Sequence, residues 1–321
     1  MRATDPARQV PVLTVTLNPA LDLSTATASV TPEVKLRCEA PITHPGGGGL
    51  NISRAMALMG GHSRALAALG GLTGQRIVQM LADAGIGVIA LPAPGETRRS
   101  FTVTDAATGQ QFRFVLPGPE WGTDLVEQAL DQIARHAPAD GYVVLSGSNP
   151  PGVPAAFAAM LAARMPQGRL IVDTSGAALA EVASGRNASV HILRMDDREA
   201  EGLAGRPLPT RGDTAALAVE LVERGAAQGV IIARGTDGNI IATRDGIWHA
   251  HAETVPVVSK VGAGDSYLAG FTLGLARGWD IAEAMGLGAA AASATVQTPA
   301  TELCRPGDVE ALFQARIVTR I

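Results

Sequence analysis

The stretch RLIVDTS, Arg169 to Ser175, is an apolar, β-branched run that stops on an acid. Runs of this length and composition read as buried strands, with the polar stop marking where the chain leaves the sheet. VLTVTLN (Val12–Asn18), YVVLSGS (Tyr142–Ser148), VHILRMD (Val190–Asp196) and GVIIARG (Gly229–Gly235) repeat the pattern. Between them, NISRAMALMG from Asn51, GQRIVQMLADAG from Gly74, TDLVEQALDQIARH from Thr123, VPAAFAAMLAARM from Val153 and DTAALAVELVERG from Asp213 carry apolar residues at helical spacing. Apolar strands alternating with helices predict an α/β fold with a mostly parallel central sheet and helices on both faces. Ligands of such sheets bind beyond the carboxyl ends of the strands, so function is sought at the polar stops.

Two segments interrupt the alternation. Leu21–His44 and Thr97–Pro117 read as extended chain without a crossover helix, the second as two strands joined around Ala106, Ala107, Thr108 and Gly109. Phe101 and Val103, then Phe112 and Phe114, alternate with polar neighbours, as a sheet with one dry face requires. Because both segments lie inside the alternating core, they predict a small β-lid, about 21–44 and 97–117, growing from one domain that spans residues 1–321. No internal repeat or flexible linker is evident.

Of the 321 residues, 46% are hydrophobic, 17% charged and 3% aromatic, with a formal charge of -4. That balance argues against disorder and against a nucleic-acid surface, and leaves small molecules as the expected partners. Cys38 and Cys304 lack the close spacing of a metal or redox pair, which predicts a reduced, cytoplasmic protein. Asp5, Pro6 and Arg8 precede a short apolar run broken by Asn18 and Pro19, which fits no secretory leader. GLGAAAASATV from Gly286 is too short and too rich in small residues to span a bilayer, and reads as a tightly packed helix.

VGAGDSYLAGF, Val261 to Phe271, sets an acid directly after Gly-Ala-Gly and ahead of a small-residue helix pattern. Unpaired N–H groups and the positive end of the helix dipole converge on Gly262, Ala263 and Gly264, an arrangement that attracts phosphate. Asp265 has two readings there. It is a favoured N-cap, or it is a general base that takes the proton of an attacking hydroxyl while the amides hold a phosphoryl group. Neither lysine of the chain follows a glycine, so no P-loop occurs, and Tyr267 stands where the dinucleotide fingerprint needs its third glycine. P-loop nucleoside triphosphatases and classical Rossmann dehydrogenases are therefore disfavoured.

HPGGGGLNISRAMALMGG from His44 has four consecutive glycines ahead of a helix pattern. They allow close approach of backbone to a bound molecule, and Asn51, able to donate and accept, suits a polyol unless it merely caps the helix. The only two lysines are Lys35 and Lys260; Lys35 joins Arg37, Arg98, Arg99 and Arg113 in the expected lid, a local basic cluster that suits a substrate phosphate. Asp173, Asp196 and Glu199 follow strand ends, where carboxylates hold Mg2+ directly or through water; Asp173 also reads as a cap.

TLNPALD, KLRCEAP, PGGGGLNISRA, SGSNPPGV, IVDTSGAAL, RGTDG and VGAGDS together, in order and spacing, resemble the phosphofructokinase B branch of the ribokinase-like sugar kinases, from Val12 to about Cys304. The resemblance implies a ribokinase-like sheet with a β-lid over the sugar site, lids that pair two copies into a homodimer, and ATP with Mg2+. It implies Asp265 as catalytic base and Gly262, Ala263 and Gly264 as anion hole. Asp22, Asn51, Gly47 and Gly48 would bind sugar hydroxyls; Lys35, Arg98 and Ser148, beside Arg37, the substrate phosphate. Gly235, Gly238, Arg194, Lys260 and Ser293 would line the nucleotide site. The expected reaction is ATP-dependent phosphorylation of fructose 6-phosphate at O1; fructose 1-phosphate and tagatose 6-phosphate are the competing substrates, and a non-catalytic sugar-phosphate sensor the competing class. Three departures stand out. Where the branch has Lys-Pro-Asn-x-x-Glu, this chain has Arg194, Met195, Asp196, Asp197, Arg198 and Glu199; Lys260 replaces a small hydroxyl residue; and the region of Gln297 and Thr298 diverges.

Overall fold

Alternate residues of a buried strand point to opposite faces, and in Val12–Thr16 (β1) this sends Leu13 and Val15 into one apolar cluster and Val12 into another. The computed structural model describes residues 9–299 and 301–321. Asp5, Pro6 and Arg8 lie outside the described residues.

The next strands are β2 (Ala20–Thr27), β3 (Ile42–Gly46), β4 (Arg64–Leu69), β5 (Gly87–Pro92), β6 (Arg98–Asp105) and β7 (Gln111–Val115). β8 (Tyr142–Ser146), β9 (Arg169–Asp173), β10 (Val190–Met195) and β11 (Ala227–Ala233) follow, then β12 (Asn239–Thr243), β13 (Gly246–Ala250) and β14 (Val318–Arg320). The helices are α1 (Gly48–Leu58), α2 (Gly71–Asp83), α3 (Thr123–His136), α4 (Phe157–Arg164) and α5 (Gly176–Ala183). After them come α6 (Asp197–Ala204), α7 (Arg211–Glu223), α8 (Ala263–Ala276), α9 (Ile281–Thr295) and α10 (Pro306–Ala315).

Ten strands form one sheet in the order β14-β13-β12-β11-β10-β9-β8-β1-β4-β5. From β11 to β5 every pairing is parallel, while β12, β13 and β14 extend one edge antiparallel. One face carries Val143, Leu145, Leu170, Val172 and Leu193 against α3, α4, α5 and α7. The other carries Val144, Ile171, Ile192 and Ile231 against α1, α8, α9 and α10. The hydrophobic effect across both faces, at about 25 cal/mol per Å2 buried, is what holds the layers together.

α8 and α9 have almost no polar face, because both lie inside. Glycine in a helix interior costs about 1 kcal/mol relative to alanine. Here it permits backbone contact: a Cβ at Gly270 would stand 2.7 Å from Leu287 O, and one at Gly288 would stand 2.8 Å from Tyr267 O. The tight packing expected of the stretch from Gly286 is thus made by small residues on both helices.

A second, four-stranded sheet has the order β3-β2-β6-β7. β2 runs parallel to β6, and β3 and β7 flank them antiparallel. Extended chain was expected throughout 21–44, but residues 28–41 form an irregular excursion closed by a bridge between Thr27 and Cys38. Pro32 and the left-handed Glu33, at φ 64°, explain why no strand continues there. Among the described residues, no helix is long and apolar enough to cross a membrane.

Candidate active site

Gly262 caps α8 with φ 79°, a conformation that a side chain disfavours. Asp265 lies in the first turn, three residues beyond, and caps nothing: its Oδ2 accepts from Asn51 Nδ2 at 2.8 Å. Asn51 is not a cap either, since Gly47 holds that position on α1. Both residues that the sequence left open between capping and chemistry therefore spend their side chains on each other. The first amides of α8 lack intrahelical acceptors at the same end, and Ala263 N donates back to Lys260 O at 3.4 Å.

The run of glycines explains how α1 reaches this point. A side chain at Gly46 would run into the Asp22 carboxylate and one at Gly48 into the Ser146 hydroxyl, while a Cβ at Gly49 would sit 2.6 Å from Val15 O. Only bare backbone lets the start of α1 press against the ends of β1 and β8.

Two more charged groups close the site from the parallel strands. At the end of β9, Asp173 accepts from Arg194 Nη1 at 3.2 Å and from Ser146 Oγ at 3.1 Å. Arg194, near the end of β10, is so close to the first turn of α8 that a Cβ at Gly264 would lie 2.8 Å from its Nη2. Its Nε is buried without a hydrogen-bond partner among the described residues. Burial works against the Arg194 charge, but the Asp173 carboxylate more than offsets it and holds the guanidinium above its usual range.

Burial dominates at Asp265 and pushes its carboxyl up to about 7, with the negative charge of Asp173 adding to the shift; the Asn51 hydrogen bond and Arg194 pull the other way. Asp22 on β2 is also raised by burial, against the opposing pull of Arg98. A carboxyl poised near neutrality beside a helix N-terminus and a guanidinium can accept a proton while an anion is held next to it.

Arg98, expected to bind a phosphate, donates Nε and Nη2 to Asn18 O at 3.2 and 3.0 Å and Nη1 to Leu116 O at 3.1 Å. Asn18 in turn donates Nδ2 to Ser148 Oγ at 3.2 Å, so Arg98 and Ser148 are tied together through one loop. Lys35 and Arg37 stand exposed on the excursion 28–41. Asp196 and Glu199 form a reciprocal capping box at α6, which occupies one oxygen of each carboxylate; burial raises the Glu199 carboxyl. Gly235 and Gly238 bound a short 3-10 turn after β11, Lys260 is exposed before α8, and Ser293 is buried in α9.

Two arginines escaped the sequence reading. Arg54 donates to Pro45 O at 3.0 Å, Asn51 Oδ1 at 3.2 Å and Thr301 O at 3.4 Å, and its i,i+3 spacing from Asn51 was the available signal. Arg234 pins the turn at Gly235–Asp237: it donates to Asp237 Oδ2 at 2.9 Å, to Leu208 O and Thr210 O at 3.1 Å, and to Pro209 O at 3.2 Å. RGTDG announces only the Asp237 contact, at i,i+3; the three carbonyl acceptors lie in the connection between α6 and α7.

A family model described as pfkB family carbohydrate kinase matches residues 11–307. The chain belongs to this family. Its relatives include the ATP-dependent 6-phosphofructokinase isozyme 2 of Mycobacterium tuberculosis H37Rv, 41% identical over 305 residues that cover 94% of this chain and 89% of the relative. The 1-phosphofructokinase of Xanthomonas campestris is 31% identical over 266 residues, 82% of this chain and 83% of the relative. The crystal structure of phosphofructokinase-2 from Escherichia coli in complex with substrates and products superposes with TM-score 0.89 at 35% identity, covering 95% of this chain and 99% of that one. The pfkB family thus accounts for the ribokinase-like sheet, with its small second sheet set over the ends of the parallel strands.

Proposed function

We propose that this pfkB family kinase transfers the terminal phosphoryl group of ATP to O1 of fructose 6-phosphate, yielding fructose 1,6-bisphosphate and ADP. The observation that carries the reading is the half-buried Asp265 carboxylate, held by Asn51 in the first turn of α8 with Arg194 packed against Gly264. Asp265 would take the proton as the hydroxyl oxygen bonds to phosphorus and the bond to the ADP oxygen breaks. The amides of Gly262, Ala263 and Gly264 would hold the oxygens of the transferring group, and Arg194 would offset their charge. Asp22 and the backbone of Gly47 and Gly48 would bind the sugar. A phosphorylated acceptor is supported by Arg98 and Arg113 of the small sheet, together with Lys35 and Arg37 on its excursion, whereas Arg99 points to the other face and donates Nη2 to Thr73 Oγ1 at 3.3 Å. Gly235, Gly238, Lys260 and Ser293 would line the nucleotide.

The acids suit a cation that arrives on the nucleotide rather than a resident one. Among the described residues, no three His, Cys, Asp or Glu side chains gather to hold a metal, and Asp173 is already engaged by Arg194 and Ser146. Asp173, Asp196 and Glu199 would contact Mg2+ through its waters. Held there, Mg2+ would supply positive charge to offset the charge that develops on the phosphate oxygens.

The small sheet would act as a lid that excludes water, with residues 1–321 as one kinase domain in the cytoplasm. It would also join two copies: Ile42, Phe114 and Val115 leave 54%, 54% and 61% of their surfaces exposed on it. Fructose 1-phosphate is the second reading, supported by the similarity to a 1-phosphofructokinase. ADP release measured with fructose 6-phosphate, fructose 1-phosphate, tagatose 6-phosphate and free fructose tests the assignment. The highest kcat/KM with fructose 6-phosphate is expected; a preference for another acceptor reassigns the substrate, and binding without turnover makes the protein a sensor.

A further inference from the structure

A primary amide has two chemically different ends, and a carboxylate can only accept hydrogen bonds. Asn51 can therefore serve Asp265 only when its Nδ2 faces the acid. What selects that orientation is the other end. Arg54 Nη1 lies 3.2 Å from Asn51 Oδ1, and a guanidinium only donates, so it can meet the oxygen end and never the nitrogen end.

We propose that Arg54 is a positioning residue for phosphoryl transfer, which fixes the Asn51 amide so that Nδ2 holds Asp265 Oδ2 and Oδ1 of the base is left for the sugar hydroxyl. This rests on the kinase reading of Asp265. Arg54 itself is oriented from two sides. Nη1 also donates to Pro45 O at 3.0 Å, in β3 at the root of the small sheet, and Nη2 to Thr301 O at 3.4 Å, in the connection from α9 to α10. Those two segments meet again where His44 Nδ1 and Thr301 Oγ1 lie 2.8 Å apart. The amide is thus correctly turned only when the small sheet and the α9–α10 connection are both seated, which links occupancy of either side to the alignment of the base.

A double-mutant cycle on kcat tests the assignment. Misplacing a reacting group by about 1 Å costs roughly a hundredfold in rate, and Arg54→Met and Asn51→Ala are each expected to lose about that much. If Arg54 acts through Asn51, adding Arg54→Met to Asn51→Ala lowers kcat by less than about threefold, because residues that act as a unit are non-additive. Losses that multiply, as for a purely structural role, overturn the proposal. Melting temperature controls for folding. Should Arg54→Met not fold, Arg54→Lys, which keeps the charge but lacks the planar fork, carries the same cycle. Multiplicative losses in an enzyme whose wild type is active refute the Arg54 role alone; a wild type that phosphorylates no sugar refutes the kinase reading.

Discussion

Arg194 Nη1 donates to Asp173 Oδ1 at 3.2 Å while the same guanidinium rests against the backbone of Gly264, close enough that a Cβ there would have to displace it. The proposed anion hole and the ion pair therefore form one packed unit. Gly264→Ala is expected to push Arg194 off Asp173 and to lower kcat about tenfold to a hundredfold, the range seen when oriented charge is misplaced. Unchanged kinetics in the alanine variant would mean that the guanidinium gives way freely.

Arg194→Ala leaves Asp173 buried without its cation. Both side chains are only 13% and 12% exposed, and breaking a buried pair from one side typically costs about 3 kcal/mol or more. A clear fall in chemical-denaturation midpoint at neutral pH is expected, smaller in Arg194→Ala combined with Asp173→Asn. Equal losses for the single and double variants would contradict the pairing.

The raised Asp265 carboxyl gives a signed pH dependence. As the proposed base, Asp265 would have to be ionised to act, so kcat/KM is expected to fall on the acid side of about pH 7, the value to which burial lifts this group. Stability of the free protein runs oppositely. A carboxyl raised from an unfolded value of about 4 contributes fully below that pH and loses its contribution as pH rises through about 7. Asp265→Asn is expected to cut kcat by about 10^2- to 10^4-fold while flattening the loss of melting temperature between pH 5 and 8. A variant with near-normal turnover would remove Asp265 from the chemistry.

Arg98 binds the carbonyls of Asn18 and Leu116, so its loss is expected to disturb how β6 meets the loop after β1. Arg98→Ala is predicted to raise KM for fructose 6-phosphate by about tenfold or more, as loss of a charge-assisted contact does, and to spare KM for ATP. An equal penalty on free fructose would count against a phosphate contact.

Phe114→Asp together with Val115→Ser places polar groups on the exposed apolar edge of β7. Light scattering is expected to find a dimer for the wild type and a monomer for the variant. A monomeric wild type rejects pairing through the small sheet.

The layered fold was legible because β-branched runs such as Arg169–Asp173 and Val190–Met195 have no helical period, whereas Thr123–His136 has one. β4 was not, since Arg-Ala-Leu-Ala-Ala-Leu suits a helix as well as a strand, and only its neighbours β1 and β5 decide. At the site, the residue types were readable but their pairings were not: Asn51 and Asp265 meet across 214 residues of chain. Asp196 and Glu199 show the reverse case. Their Asp-x-x-Glu spacing is itself a capping signature, and local hydrogen bonding satisfies it at α6.

The glycines at the contact of α8 and α9 have a mechanical consequence. With Gly270 and Gly288 seated directly on the opposing main chain, α8 and α9 leave no room for a side chain between them, which would hold the acid carried by α8 as on an anvil. In the closure proposed for the small sheet, the four-stranded flap would supply the travel and bring the sugar to a base held in place.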